Sequence, residues 1–119
     1  MYLSINDKKI NVIMCNTFLK RLKGFMFKKN INYCLCFPKT NSIHTFFMKE
    51  NIDVIMADKN NKVLFIYKNL VKNKVILPKK NVYYTYELPN NFIEGLKIND
   101  CIKIENWFSS LFSIFKFKV

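Results

Sequence analysis

Glycine and proline are scarce in this chain: its 119 residues include two glycines, Gly24 and Gly95, and three prolines. There is one histidine (His44), one arginine (Arg21), one alanine (Ala57) and one tryptophan (Trp107). No apolar run approaches the ~18 residues of a membrane-spanning helix. Residues 1–9 lack a basic segment followed by an apolar one, so they do not read as a secretory signal, and the expectation is a cytoplasmic protein. No internal repeat and no flexible linker is visible. Acidic residues are few, eight against twenty basic ones, leaving a net charge of +12.

What is present is a globular composition. Half the residues are hydrophobic, which excludes intrinsic disorder and fits a single domain with one core. Lys, Asn, Ile, Phe and Tyr dominate, and all have AT-rich codons. Residues that run against that bias, above all Arg21, Gly24 and His44, therefore carry more information than another Lys or Phe.

The charge invites a nucleic-acid reading. All but one of the basic residues are Lys, however, and they scatter along the chain. Lys suits bidentate phosphate or base contacts less well than Arg. Tyr83, Tyr84 and Tyr86 beside Lys79 and Lys80 form the best stacking platform for single-stranded bases, set against a packing ladder within a sheet. Weak, generic nucleic-acid contact is the expectation here.

The four cysteines, Cys15, Cys34, Cys36 and Cys101, read as reduced thiols and small buried hydrophobes. Cys34 and Cys36 would share one face of a strand. Their spacing matches no standard zinc pattern, and neither a metal nor a cofactor is expected.

Residues 9–15 read as a strand. Thr17 is placed to N-cap a short helix over 18–23, with Gly24 as its C-cap. Strands follow at 33–37, 43–48 and 52–58. A hairpin loop over 58–61 leads into a strand at 62–67, and 75–77 is a short strand. Residues 82–88 alternate, with Val82, Tyr84, Tyr86 and Leu88 on one face and Tyr83, Thr85 and Glu87 on the other, as in a half-buried strand. A helical turn over 89–95 and a last strand at 101–105 complete residues 1–105. The predicted fold is mostly β: a small antiparallel sandwich or barrel-like domain with one or two short helices. In residues 106–119, Trp107, Phe108, Leu111, Phe112 and Phe115 fall at helical spacing, so the tail reads as an amphipathic helix that docks on the domain, on a partner or on a membrane surface.

Four segments, read in order, resemble a known family. They are Arg21-Leu-Lys-Gly-Phe-Met26, the block Ser42–Met48 with Asn51-Ile-Asp-Val54, Tyr86-Glu-Leu-Pro-Asn90, and 95–102. Together they are similar to the domain of unknown function family 192 over residues 11–104. The resemblance implies a small, mostly antiparallel β domain and implies no activity. Phe25 stands where the family has Leu, Asn90-Asn91 where it has Ala-Gly, and Asn99 where it has Gly. Asn tolerates positive φ better than other non-glycine residues, so those turns are expected to survive.

The candidate site centres on residues 42–53, which place His44, Thr45, Lys49 and Asp53 against an aromatic run. Keeping one Arg in a Lys-rich chain suggests a planar, bidentate contact at Arg21, either a bridge to Asp53 or Glu87 or a bound anion. Gly24 supplies a cap or a close approach to a ligand. His44 is readable as a general base, a ligand-contacting group or a satisfied structural residue. On a regular strand it shares a face with Phe46 and Met48, away from Thr45. Asp53, inside an apolar segment, demands a partner: Arg21, Lys49 or His44. No nucleophile elbow or other catalytic signature is present. The leading expectation is a binding or accessory module for a small ligand or peptide, framed by Arg21, Gly24, His44, Phe46, Met48, Lys49, Asp53 and Glu87. A hydrolase or transferase using His44 with Asp53 or a cysteine is the enzymatic alternative.

Overall fold

The structure, a computed structural model, describes residues 1–105. Nine strands and one short helix follow in order: β1 (Tyr2–Ile5), β2 (Lys8–Met14), α1 (Phe18–Lys23), β3 (Cys34–Pro38), β4 (Ile43–His44), β5 (Ile52–Ala57), β6 (Val63–Leu70), β7 (Val75–Ile76), β8 (Tyr84–Pro89) and β9 (Lys103–Glu105). Seven strands form one sheet in the order β6-β5-β8-β3-β2-β1-β9, and β4 pairs with β7 separately. The outer ends of the large sheet are tied together. Val63 N–H donates to the Asp100 carbonyl, Asn99 N–H to Val63 and Ile102 N–H to Asn61, and Lys62 bridges Cys101. The sheet therefore curls into a half-barrel. Its pairs are antiparallel except β2 with β3, which are parallel and joined by the crossover that carries α1.

Strand alternation divides the apolar side chains between two faces. Leu3, Ile10, Val12, Cys34, Cys36, Ile55, Tyr86 and Leu88 pack on one. Leu35, Phe37, Val54 and Met56 face the other, where Phe25, Met48 and Ile76 cover them. Both faces of β8 are consequently buried, and the half-buried strand expected at 82–88 is fully enclosed at its centre. Tyr86 is buried and donates its hydroxyl to Asn61 Oδ1, so it is unavailable as a base-stacking platform.

The local signals for α1 hold. Thr17 Oγ1 accepts from Lys20 N–H, and Gly24, at φ 47°, ends the helix with its N–H on the Lys20 carbonyl. The turns where Asn replaces the family's glycine also survive, with Asn91 at φ 66° and Asn99 at φ 76°. β1 lies where the sequence signals no strand; Asn6 and Asp7, both at positive φ, make the two-residue turn that folds it onto β2. The strand expected over 43–48 stops at His44. Thr45 Oγ1 accepts from Lys74 N–H (2.8 Å) and donates to the Val71 carbonyl (2.8 Å), while Phe47 turns to φ 62°. These side-chain bonds to a segment distant in sequence stand in place of a sheet ladder. Among the described residues, no helix is long and apolar enough to cross a membrane. The amphipathic helix expected over 106–119 lies outside the described residues.

Candidate functional site

β8 is central in the sheet, and Glu87 on it stands opposite Leu35 of β3 and Val54 of β5. Its side chain faces the second apolar layer. There the turn after α1 crosses directly over it: a Cβ built on Gly24 would lie 3.0 Å from Glu87 Oε2. Gly24 is thus both a positive-φ cap and the one residue type that lets the backbone sit on this carboxyl. Glu87 is 3 % exposed. Phe25 N–H donates to the carboxyl, yet Oε2 has no hydrogen-bond partner. Burial pushes the carboxyl up to about 8, and the Phe25 bond only partly offsets that.

Glu87 lines a groove of about 680 Å³. One wall is α1 and its cap, with Phe18, Arg21, Leu22 and Gly24; the other is the β4–β7 pair and its flanks, with His44, Ile76 and Leu77. Phe37 and Met48 also line it. The groove therefore gathers Arg21, Gly24, His44, Met48 and Glu87 from segments far apart in sequence. His44 Nδ1 accepts from Phe46 N–H (3.2 Å), and its ring stacks on Phe46 at 5.5 Å. Met48 shares the groove with His44, although the strand geometry expected to align them is absent.

Three expected members lie apart from the groove lining: Phe46, Lys49 and Asp53. Phe46 and Lys49 are exposed. Asp53 is buried in β5, and its partners are backbone amides, Asn69 N–H (2.9 Å) and Ile93 N–H (3.3 Å), rather than Arg21, Lys49 or His44. A register shift between Ile52 and Val54, with Asn69 at φ 54°, brings the first amide within reach. The ion pair found among the described residues is Lys103–Glu105, so Arg21 bridges neither Asp53 nor Glu87; it lines the groove. Sequence reasoning missed the apolar walls. Phe18 and Leu22 recur at helical spacing on α1, and 75–77 is an apolar run before Pro78; both signals were visible but pointed to no partner.

The buried thiols are not poised as nucleophiles. Burial pushes Cys15 up to about 11 and Cys36 up to about 12, and raises Cys34 as well. Cys34 and Cys36 share the first apolar face, as expected, whereas Cys101 is exposed rather than buried. Among the described residues, no group of three or more His, Cys, Asp or Glu is placed to hold a metal ion. Chemically, the groove offers a buried carboxyl able to donate or accept, a guanidinium at the wall, and apolar sides.

Comparison with known proteins places this architecture. The UPF0127 protein TK1120 of Thermococcus kodakarensis is 38 % identical over 95 residues, covering 75 % of this chain and 60 % of that protein. The UPF0127 protein PH1112 of Pyrococcus horikoshii is 38 % identical over 104 residues, covering 82 % of this chain and 88 % of its own length. The chain thus spans about 60 % of the length of the first of these relatives. A crystal structure of a protein of unknown function from Novosphingobium aromaticivorans shares the fold, with a TM-score of 0.72 at 15 % identity over 87 % of this chain and 82 % of the other. A family model, that of domain of unknown function family 192 (Uncharacterized ACR), matches residues 1–105, and the chain belongs to that family.

Proposed function

We propose that the chain is a binding module whose groove takes a small ligand or the end of a peptide, with Glu87 as the recognition group on its floor and Arg21 and His44 on its walls. The observation that carries this reading is Oε2 of Glu87, which among the described residues is the buried side-chain polar atom without a hydrogen-bond partner. A buried polar atom without a partner costs roughly 1–3 kcal/mol, and proteins retain few of them. A ligand group that hydrogen-bonds Oε2 recovers that cost on binding. Phe18, Leu22, Ile76 and Leu77 then supply apolar contact, and Arg21 favours an anionic group on the same ligand.

The enzymatic alternative loses two of its parts. Asp53 is committed to backbone amides and cannot orient His44, and the buried cysteines are held as thiols. The nucleic-acid alternative loses Tyr86 from its platform.

The test is a thermal-shift screen of wild type, Arg21→Ala and His44→Ala against anions, nucleotides, amines, short peptides and divalent metals. A ligand that binds only the folded state raises the midpoint. The reading expects at least one hit that both substitutions weaken while the variants stay folded. Hits that neither substitution affects would place binding elsewhere.

A further inference from the structure

The exposed apolar side chains of this protein are not spread evenly. Of the twelve large hydrophobic residues exposed among those described, nine fall in residues 18–29, 43–50 and 71–79. They include Phe18, Leu19 and Leu22 of α1, no residue of which is buried, and Phe27, Phe46 and Phe47 on the following loops. The same three segments hold nine cations against one acid, Glu50, a net +8 of the chain's +12. Even that acid is engaged, accepting from Asn30 N–H at 2.6 Å.

The segments are knit into one surface. Phe27 N–H donates to the Phe47 carbonyl, Met26 bridges Met48, and the two phenyl rings stack at 5.6 Å. Thr45 bonds Val71 and Lys74, and His44 pairs with Val75. α1 and the β4–β7 pair face each other across the groove. Phe27 and Phe47 both stand at positive φ, 63° and 62°, and the two residues are 60 % and 61 % exposed. A bulky residue rarely adopts that conformation, and here it leaves the ring in solvent rather than in the core. Biased composition explains many Lys and Phe residues, but not their gathering on one surface.

We infer that this surface docks on an anionic lipid bilayer, with Phe27, Phe46, Phe47 and the apolar side of α1 entering the headgroup region and the surrounding lysines meeting lipid charge. Five of the nine apolar residues, Leu19, Phe27, Phe46, Phe47 and Val71, lie outside the groove lining. They form a broad rim instead of a slot shaped for one peptide. A bilayer interface needs no shape match; it rewards apolar tips ringed by Lys and Arg. Cations near an anionic membrane surface add their attractions, so a cluster of nine is enough to hold the domain there. The groove opens within the rim, although the docking does not depend on what the groove binds.

The test is co-sedimentation of the full chain with sucrose-loaded vesicles of phosphatidylcholine, with and without phosphatidylglycerol, at low and high salt. Four variants accompany wild type: Phe27→Asn/Phe47→Asn, Lys28→Glu/Lys29→Glu, Lys68→Glu/Lys97→Glu and Glu87→Gln. Asn is used because it tolerates positive φ. Wild type is expected to sediment with phosphatidylglycerol vesicles and not with phosphatidylcholine alone, and to be released by salt. The phenylalanine pair is expected to lower partitioning at least about tenfold through lost apolar insertion. The Lys28 and Lys29 pair lowers it by a similar factor. The exposed Lys68 and Lys97, which lie outside the three segments, change it far less, and Glu87→Gln leaves it unchanged. Absence of sedimentation overturns the inference. So does equal weakening by both lysine pairs with no effect of the phenylalanines, which is generic charge. Capture by soluble polyglutamate without vesicle binding overturns it in favour of an acidic protein partner.

Discussion

Replacing Glu87 with Gln tests the buried carboxyl without changing its shape. In the folded protein burial pushes Glu87 up to about 8, whereas its ordinary value is 4.5. Between those values the folded state keeps a proton that the unfolded chain has released. Stability therefore falls as pH rises through that window, is unaffected by Glu87 below it, and levels off above it. At about 1.4 kcal/mol per pH unit, the loss through this group between pH 5 and pH 8 comes to about 3 kcal/mol. The Gln variant has no proton to lose and escapes that decline. Urea denaturation followed by far-UV circular dichroism at pH 5, 6, 7 and 8 reads the difference, with other titrating groups cancelling between the two proteins. The expected result is a gap that moves by about 3 kcal/mol in favour of the variant as pH rises. Parallel pH profiles would refute the reasoning, because they would mean that Glu87 ionises in the folded protein as easily as in the unfolded chain.

Further predictions follow from the same geometry. Gly24→Ala places a methyl 3.0 Å from Glu87 Oε2 at φ 47° and is expected to cost about 1–3 kcal/mol, measured by the same denaturation. Asp53→Ala leaves the Asn69 and Ile93 amides without their acceptor and is expected to cost roughly 2–4 kcal/mol, without changing the affinity of any groove ligand. Thr45→Val removes the hydroxyl that joins Lys74 to Val71 and is expected to loosen the 71–75 segment, read as faster amide hydrogen exchange at Lys74. Maleimide labelling of the folded protein is expected to modify the exposed Cys101 first, with Cys15, Cys34 and Cys36 reacting only on unfolding.

Local chemistry made much of the fold legible. Thr17 and Gly24 bounded α1 because capping acts within a few residues. Asp58 set the hairpin before β6 by accepting from Asn60 and Lys62. The Phe-rich stretch at 43–48 misled because its alternation is real while its backbone is governed elsewhere. Thr45 answers to Val71 and Lys74, some thirty residues away, and no local pattern encodes that. Distance likewise hid the partners of Asp53. The alternation over 82–88 correctly set Tyr86 and Glu87 on opposite faces. It left the second face looking solvated because the covering segments, around Phe25, Met48 and Ile76, are distant in sequence. The candidate site was legible as a set of unusual residues, since Arg21, Gly24, His44 and Glu87 do converge. Which of them is buried and unpartnered depends on the way Gly24 crosses β8, and sequence alone does not carry that.

The most direct test of the groove as a binding site is a fragment screen followed by amide chemical-shift mapping on isotope-labelled wild type and Glu87→Gln. The account predicts hits that shift the amides of Gly24, Phe25, His44 and Ile76 in wild type and lose those shifts in the variant. Hits that shift other surfaces, or that shift the groove equally in both proteins, would contradict it.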